Sequence, residues 1–382
     1  MDARSHERQR QAHHGLVTAA GAGVLVLAAL SLVVAVAGGL LRACPAPAPP
    51  TLPAWLLSGA VSHAALMICG FLGTVVGMER AVAARKPLAF VAPLASACGA
   101  ALLILGEQGA GSLAIMVAAG TFVLVNVRIV RRQPAAHTAL LLLGAVSWLT
   151  GSVMYAAGTG APIPWWFAFL VMTVAAERLE MTRLTRRAPH AELQLCGTMA
   201  LLVAGAALSS ATVTLATTGT GLFGVSLVLL ALWLFRHDIA RRTIFSDGLS
   251  RYMAICLLTG YCWLAVSGIG WIGLAAGLPL RDMALHALGL GFIVGMMMAH
   301  APVILPALTR IRLRFGLLFY LPLLALHVSL MVRIGFGAPY PLQRGIGALL
   351  NAGALILFAA TVVGAAIAWR LSQRHPSRQE TL

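Results

Sequence analysis

Charge is scarce in this chain. Only 10% of its 382 residues are charged, acids number eleven, and no polar stretch is long enough to build a soluble domain. With 60% of residues apolar and a mean hydropathy of +0.90, so few charges cannot cover the hydrophobic surface in water, which excludes a soluble globular class. Cysteine is also thin: Cys44, Cys69, Cys98, Cys196, Cys256 and Cys262 include no CxxC, and five of them fall inside apolar segments. A disulfide framework, a zinc ribbon and a CxxCH haem attachment are excluded. No P-loop, HExxH or GxSxG occurs. Gly289-Leu290-Gly291 opens like a dinucleotide fingerprint, but Val294 replaces the third glycine and no strand precedes it.

Apolar runs are what the sequence has in quantity. A spanning helix needs about 20 apolar residues, and twelve such runs are present, at 16–41, 54–78, 88–106, 111–130, 138–158, 162–181, 193–217, 220–235, 252–276, 282–308, 315–336 and 345–369. The expected fold is an all-α integral membrane protein of twelve transmembrane helices, with a cytoplasmic tail at 1–15, a membrane domain at 16–370 and a second cytoplasmic tail at 371–382. The first run is too long for the apolar core of a signal peptide and reads as a retained span. The net charge of +16 sits in short arginine clusters between the runs, which belongs to bilayer topology and not to nucleic acid. With both termini inside, twenty-three basic residues fall on the cytoplasmic side, and only Arg42, Arg281, Arg333 and Arg344 fall outside. Shifting the count by one helix destroys this asymmetry.

An internal echo accompanies the spans. Glu79-Arg80 closes the second run and Glu177-Arg178 closes the sixth, ninety-eight residues later. The spacing suggests three four-helix units in which the second, sixth and tenth helices are equivalent, although the tenth lacks the Glu-Arg pair.

Ionisable groups inside a bilayer are costly, so each is a functional candidate. Five histidines lie in or beside spans: His63, His137, His286, His300 and His327. His63 and His286 stand near the outer ends of the second and tenth spans, about 13 and 6 Å deep at about 1.5 Å per residue, and boundary error can bring them to one depth. Two neutral imidazoles at one level can ligate a haem iron from both faces; hydrogen bonding to neighbouring backbone is the plainer alternative. Gly70, Gly73 and Gly77 in the second span and Gly289, Gly291 and Gly295 in the tenth make room for a macrocycle or for close helix packing. Arg281 and Arg333 near the outer surface could pair with haem propionates or simply with lipid phosphates.

A second candidate site lies deeper, at Met296-Met297-Met298-Ala299-His300. Met296 precedes His300 by one helical turn, and thioether with imidazole suits copper; His327, mid-way along the eleventh span, is a further ligand or a proton-path group. The rival reading of the methionines is packing. Glu79, Glu177 and Glu180 sit beside arginines at cytoplasmic helix ends, as interfacial ion pairs or as a proton entrance.

Around the two outer histidines, His63-Ala64-x-x-Met67-x-x-Gly70-Phe71 and Leu285-His286-Ala287-Leu288 with its methionine-rich continuation resemble the two histidine segments of the NnrS family. That resemblance implies a twelve-span bacterial inner-membrane protein linked to haem, copper and nitric oxide or nitrosative stress, distantly similar to the catalytic subunit of haem-copper oxidases, whose second and tenth helices carry haem histidines. It further implies haem b as cofactor, with copper as a second metal, and an electron-transfer or oxidase partner. The chain departs from the family at Ala65 and Leu66, where a second histidine and an acid are expected, and it has no oxidase-like copper set. A binuclear gas-reducing centre of the oxidase type is therefore not expected. Two other function classes compete: a proton-coupled secondary transporter using Glu79, Glu177 and His327, and a copper-delivery or oxidase-assembly factor.

Overall fold

The computed structural model describes residues 3–44, 52–182, 190–309, 311–336 and 340–374. The proline-rich segment after Cys44 and the basic cluster Arg183, Arg186 and Arg187 lie outside them. Among the described residues there is no strand, and each apolar run forms a helical rod. A rod closes its own backbone hydrogen bonds, the requirement that hydrocarbon imposes on any spanning segment.

In chain order the rods are as follows. Helix α1 is Ala3–Ala43, so the residues expected as a tail form its first turns. Helix α2 joins Ala54–Val61, His63–Ala65, a π-helical stretch Leu66–Gly73 and Thr74–Ala84. Helix α3 joins a 3₁₀ turn Pro87–Phe90 to Val91–Ile104, α4 is Gln108–Arg132 and α5 is Ala136–Ala157. Helix α6 is Pro162–Met181, α7 is Ala191–Ser209, α8 is Val213–His237 and α9 is Gly248–Ala275. Helix α10 joins Arg281–His286, a π-helical stretch Ala287–Val294 and Gly295–Thr309. Helix α11 joins Leu317–Phe319, Tyr320–Met331 and a π turn Val332–Phe336, and α12 is Pro341–Arg374.

Eleven of these rods are long and apolar enough to cross a membrane. The twelfth, α6, contains Glu177, Arg178 and Glu180 and buries fourteen of its twenty residues against protein, with Trp148 of α5 stacked on its Phe169 at 4.9 Å. On α12 the exposed face is apolar, with Leu349, Ile356, Val363 and Ile367 all more than half exposed. That pattern is the reverse of a soluble protein and identifies an all-α, multi-pass membrane protein.

Local chemistry explains the helix ends. Pro162 starts α6, where its missing N–H costs nothing, and Gly158 ends α5 in the left-handed region at φ 64°. The break between α7 and α8 falls earlier than the expected limits of 217 and 220. Ser209 and Ser210 turn their hydroxyls back to the Ala206 carbonyl at 2.8 and 3.1 Å, competing with the helical ladder. Residues 213–217 therefore start α8, and the run that looked shortest forms a 25-residue helix.

The chain divides into two compact units, one made of the described residues within 1–41 and 48–125, the other of those within 42–47 and 126–382. In the first unit α1 and α2 meet backbone to backbone at Gly38 and Gly59, where a Cβ on Gly38 would overlap Gly59. The widened turns of α2 leave carbonyls that buried serines from neighbouring helices satisfy: Ser31 donates to Leu66 O at 2.9 Å and Ser96 to Cys69 O at 2.8 Å. In the second unit α9 lies along α10, and the buried Ser267 donates to Ala284 O at 2.7 Å just before the π stretch of α10. Rods α9 to α12 share a core that includes Tyr252, Val294, Phe319, Leu326 and Phe358. Helices α2 and α10 thus share a plan, an eight-residue π-helical stretch that begins three residues after His63 and one residue after His286, while α6 is an unbroken α-helix.

Candidate functional site

In the first unit, His63 is half-buried on the face of α2 that carries Gly59 one turn earlier. Because Gly38 and Gly59 let α1 approach so closely, the Ala35 carbonyl of α1 comes within 2.7 Å of His63 Nδ1. A carbonyl only accepts, so Nδ1 carries the proton and the neutral ring has its lone pair on Nε2. The ring lies against Gly39, where an added Cβ would stand 2.6 Å from Cε1. At the adjacent break in α2, Ser62 and the Gln108 side chain bond each other at 3.0 Å.

In the second unit, His286 belongs to a polar network joining α10, α11 and α12. Its Nδ1 lies 3.0 Å from the Asp282 carbonyl and 3.1 Å from Asp282 Oδ1. Arg333 donates twice to the same carboxylate, Nε to Oδ2 at 2.9 Å and Nη2 to Oδ1 at 2.8 Å, and its Nη2 reaches His286 Nε2 at 3.1 Å. Asn351 lies behind the guanidinium, with Oδ1 at 3.5 Å from Nη1, and donates through Nδ2 to Ser329 Oγ at 2.7 Å. Arg333 is only 8% exposed, so its charge is sustained by the bidentate carboxylate. Backbone geometry makes room for it, since a Cβ on Gly347 of α12 would stand 2.5 Å from Arg333 Cα. Arg281 is exposed at the first residue of α10 and takes no part.

The residues expected to form a deeper metal set face different neighbours. His300 Nδ1 donates to the Met296 carbonyl at 2.7 Å and its Nε2 accepts from Arg178 Nη2 of α6 at 2.9 Å. The Met296 methyl fills the space over Gly260 of α9. His327 Nδ1 accepts from Trp263 Nε1 at 2.9 Å, which puts the proton of the neutral ring on Nε2. Among the described residues no group of three His, Cys, Asp or Glu is arranged to hold a metal ion. His137, at the start of α5, is buried, with Nε2 3.9 Å from Glu180 Oε1.

Of the glycines expected to make room for a macrocycle or for close helix packing, three are packed tightly by neighbouring helices, while Gly289 and Gly295 meet only contacts of 3.7 Å or more. Gly70 faces Ser31 and Ala100, Gly77 faces Pro93 and Gly291 lies under Trp263. Four polar partners escaped the sequence reading: Asp282, Asn351, Trp263 and Arg178 as a ligand of His300. Only Asp282 left a signal, as the acid one helical turn before His286 on the same face.

A family model described as a domain of unknown function, DUF8744, matches residues 22–367. The chain belongs to that family. No curated protein matches it. The DUF8744 match takes in every histidine just described, from His63 to His327, together with Asp282, Arg333 and Arg178. Within it, three rings are oriented by bonds from Nδ1 to main-chain carbonyls, and two of these carry an arginine donor on Nε2. Such bonding fixes the tautomer and aims one nitrogen, the arrangement that orients an imidazole toward a metal or a proton partner.

Proposed function

We propose that this multi-pass membrane protein is a haem-binding protein in which His63 and His286 supply the imidazole ligands through Nε2. The observation that carries the reading is the anchoring of Nδ1 in both rings, to Ala35 O at 2.7 Å and to Asp282 O at 3.0 Å. Metal-ligating histidines are held in this way, with the other ring nitrogen donating to a carbonyl or carboxylate. The NnrS resemblance of the two segments supports the same choice. It also supplies the wider role, redox or nitrosative-stress handling in a bacterial inner membrane.

The donor chemistry fits the group, with one condition. Arg333 bonds His286 Nε2, so ligation requires the guanidinium to leave that nitrogen while keeping Asp282. An arginine freed on one side is then a cation for a porphyrin carboxylate. A bound haem would supply one-electron chemistry, and the chain's own part is to aim the rings and hold the counter-charge.

Optical spectra of detergent-purified protein, oxidised and reduced, test this reading. A b-type haem spectrum in the wild type that changes in both His63→Ala and His286→Ala supports it. A wild type without porphyrin, or a His63→Ala protein with an unaltered spectrum, overturns it.

One observation favours a second reading, a proton-coupled transporter: α10 is held at His286 and again at His300 by arginines from other helices, with π-helical backbone between. Interrupted helices with charge-latched ends suit alternating access. In that case the purified protein is colourless, and vesicles containing it acidify a trapped pH dye in a way that Asp282→Asn abolishes.

A further inference from the structure

Ile311, Arg312, Trp369, Arg370 and Gln373 line a cavity of about 310 Å³ between the segment that follows α10 and the last turns of α12. The floor is pre-formed. Arg314 N donates to the Ala365 carbonyl at 3.2 Å, and Leu313 and Phe315 pack into the α9–α12 core, which ties this segment to α12. The Arg312 guanidinium lies over the Trp369 ring, 5.6 Å from its centroid.

The charge of this cleft is unbalanced. From Met283 to Gln379 the chain contains no acidic residue, and among the described residues neither Arg312 nor Arg370 forms an ion pair. A guanidinium held on a tryptophan, a second guanidinium and an amide donor therefore face one space that no acid among the described residues lines. Planar guanidinium groups match the oxygens of a phosphate in pairs. Depth selects the source of that phosphate. Trp369, Arg370 and Gln373 end the candidate span Leu342–Gln373, and Arg312 follows the span that ends at Thr309, so the cleft opens where headgroups lie.

We infer that this cleft is a binding site for a phosphate group, contributed by an anionic phospholipid, with Arg312 and Arg370 on its oxygens. None of the histidines described above lines the cleft, and the inference does not depend on the haem reading.

Native mass spectrometry of the full-length protein, released from detergent with phosphatidylglycerol added, tests it. The wild type is expected to retain phosphatidylglycerol, and the Arg312→Ala/Arg370→Ala protein to lose about tenfold in occupancy. The Arg312→Lys/Arg370→Lys protein, which keeps the charge and removes only the paired guanidinium donors, is expected to retain an intermediate amount. Arg241→Ala/Arg242→Ala removes the same charge from exposed positions elsewhere and is expected to match the wild type. Equal retention in the Arg312/Arg370 alanine protein and its control overturns the site. Displacement of the lipid by millimolar inorganic phosphate overturns the lipid source and assigns the cleft to free phosphate.

Discussion

His286 and His300, fourteen residues apart on α10, are held by the same pair of bonds. Each donates from Nδ1 to the carbonyl four residues earlier, Asp282 O and Met296 O, and each accepts at Nε2 from an arginine of another helix, Arg333 and Arg178. An arginine cannot accept, so both rings are neutral and both tautomers are fixed. The difference lies in the counter-charge. Arg333 has a bidentate carboxylate, whereas Arg178, 7% exposed, has a buried Nε without a hydrogen bond.

That difference makes Asp282 the keystone of the outer network. Asp282→Asn leaves the Arg333 guanidinium buried without its carboxylate, a change that costs about 3 kcal/mol when one partner of a buried pair is lost. Because Asp282 itself is 30% exposed, water recovers part of this, and the expected loss is about 2 kcal/mol. Thermal unfolding in detergent measures it. A change below about 0.5 kcal/mol would mean that solvent already carries the arginine.

Gly39 sets the position of His63. A methyl there would stand 2.6 Å from Cε1 and 2.9 Å from Nδ1, so Gly39→Ala must push the ring off the Ala35 carbonyl. Overpacking of this kind costs about 1–3 kcal/mol. The informative readout is the spectrum: if His63 ligates haem, Gly39→Ala shifts it in the direction of His63→Ala. An unshifted spectrum in a folded protein would separate the ring's position from the cofactor.

Much of this fold was legible as sequence, for a physical reason. Apolar length and arginine placement are properties of a whole rod, and the bilayer reads them without regard to how the rod is rotated. The apolar runs therefore anticipated the helical rods, eleven of which are long and apolar enough to cross a membrane among the described residues, and the break at Ser210 was missed because serine looks harmless in a hydropathy average. Pairings such as Arg178 with His300 or Trp263 with His327 depend on which face of each helix meets its neighbour, and nothing along one strand of sequence encodes that. The π stretches after His63 and His286 escaped for a similar reason. Serines of other helices bond carbonyls within or just before these stretches, Ser31 and Ser96 in α2 and Ser267 in α10, and those partners lie outside the segment itself.

Two glycines of α12 provide an internal comparison. Gly347 packs against the backbone of Arg333, where a Cβ would stand 2.5 Å from Cα, whereas Gly353 has nothing within 4 Å. Gly347→Ala is expected to destabilise by about 1–3 kcal/mol through overpacking. Gly353→Ala is expected to be neutral, or to stabilise by up to about 1 kcal/mol through helix propensity. Unfolding temperatures of the two proteins should move in opposite directions or differ widely; equal shifts would remove the argument for a tight α11–α12 contact at Arg333.

Trp263 links α9 to α11 through one bond, Nε1 to His327 Nδ1 at 2.9 Å, and also covers Gly291 in the π stretch of α10. Trp263→Phe keeps most of the ring over Gly291 but removes the donor, leaving His327 Nδ1 as a buried acceptor without a partner. An orphaned buried group costs about 1–3 kcal/mol. His327 Nε2 is already buried without a partner, so the ring can respond by exchanging its proton between the two nitrogens. Nitrogen NMR of labelled histidine distinguishes the two cases. In the wild type the protonated nitrogen should be Nε2, and in Trp263→Phe a mixture of tautomers should replace it. A wild-type ring protonated on Nδ1 would mean that Trp263 does not donate to it, and with that the only polar tie between α9 and the middle of α11 among the described residues would be lost.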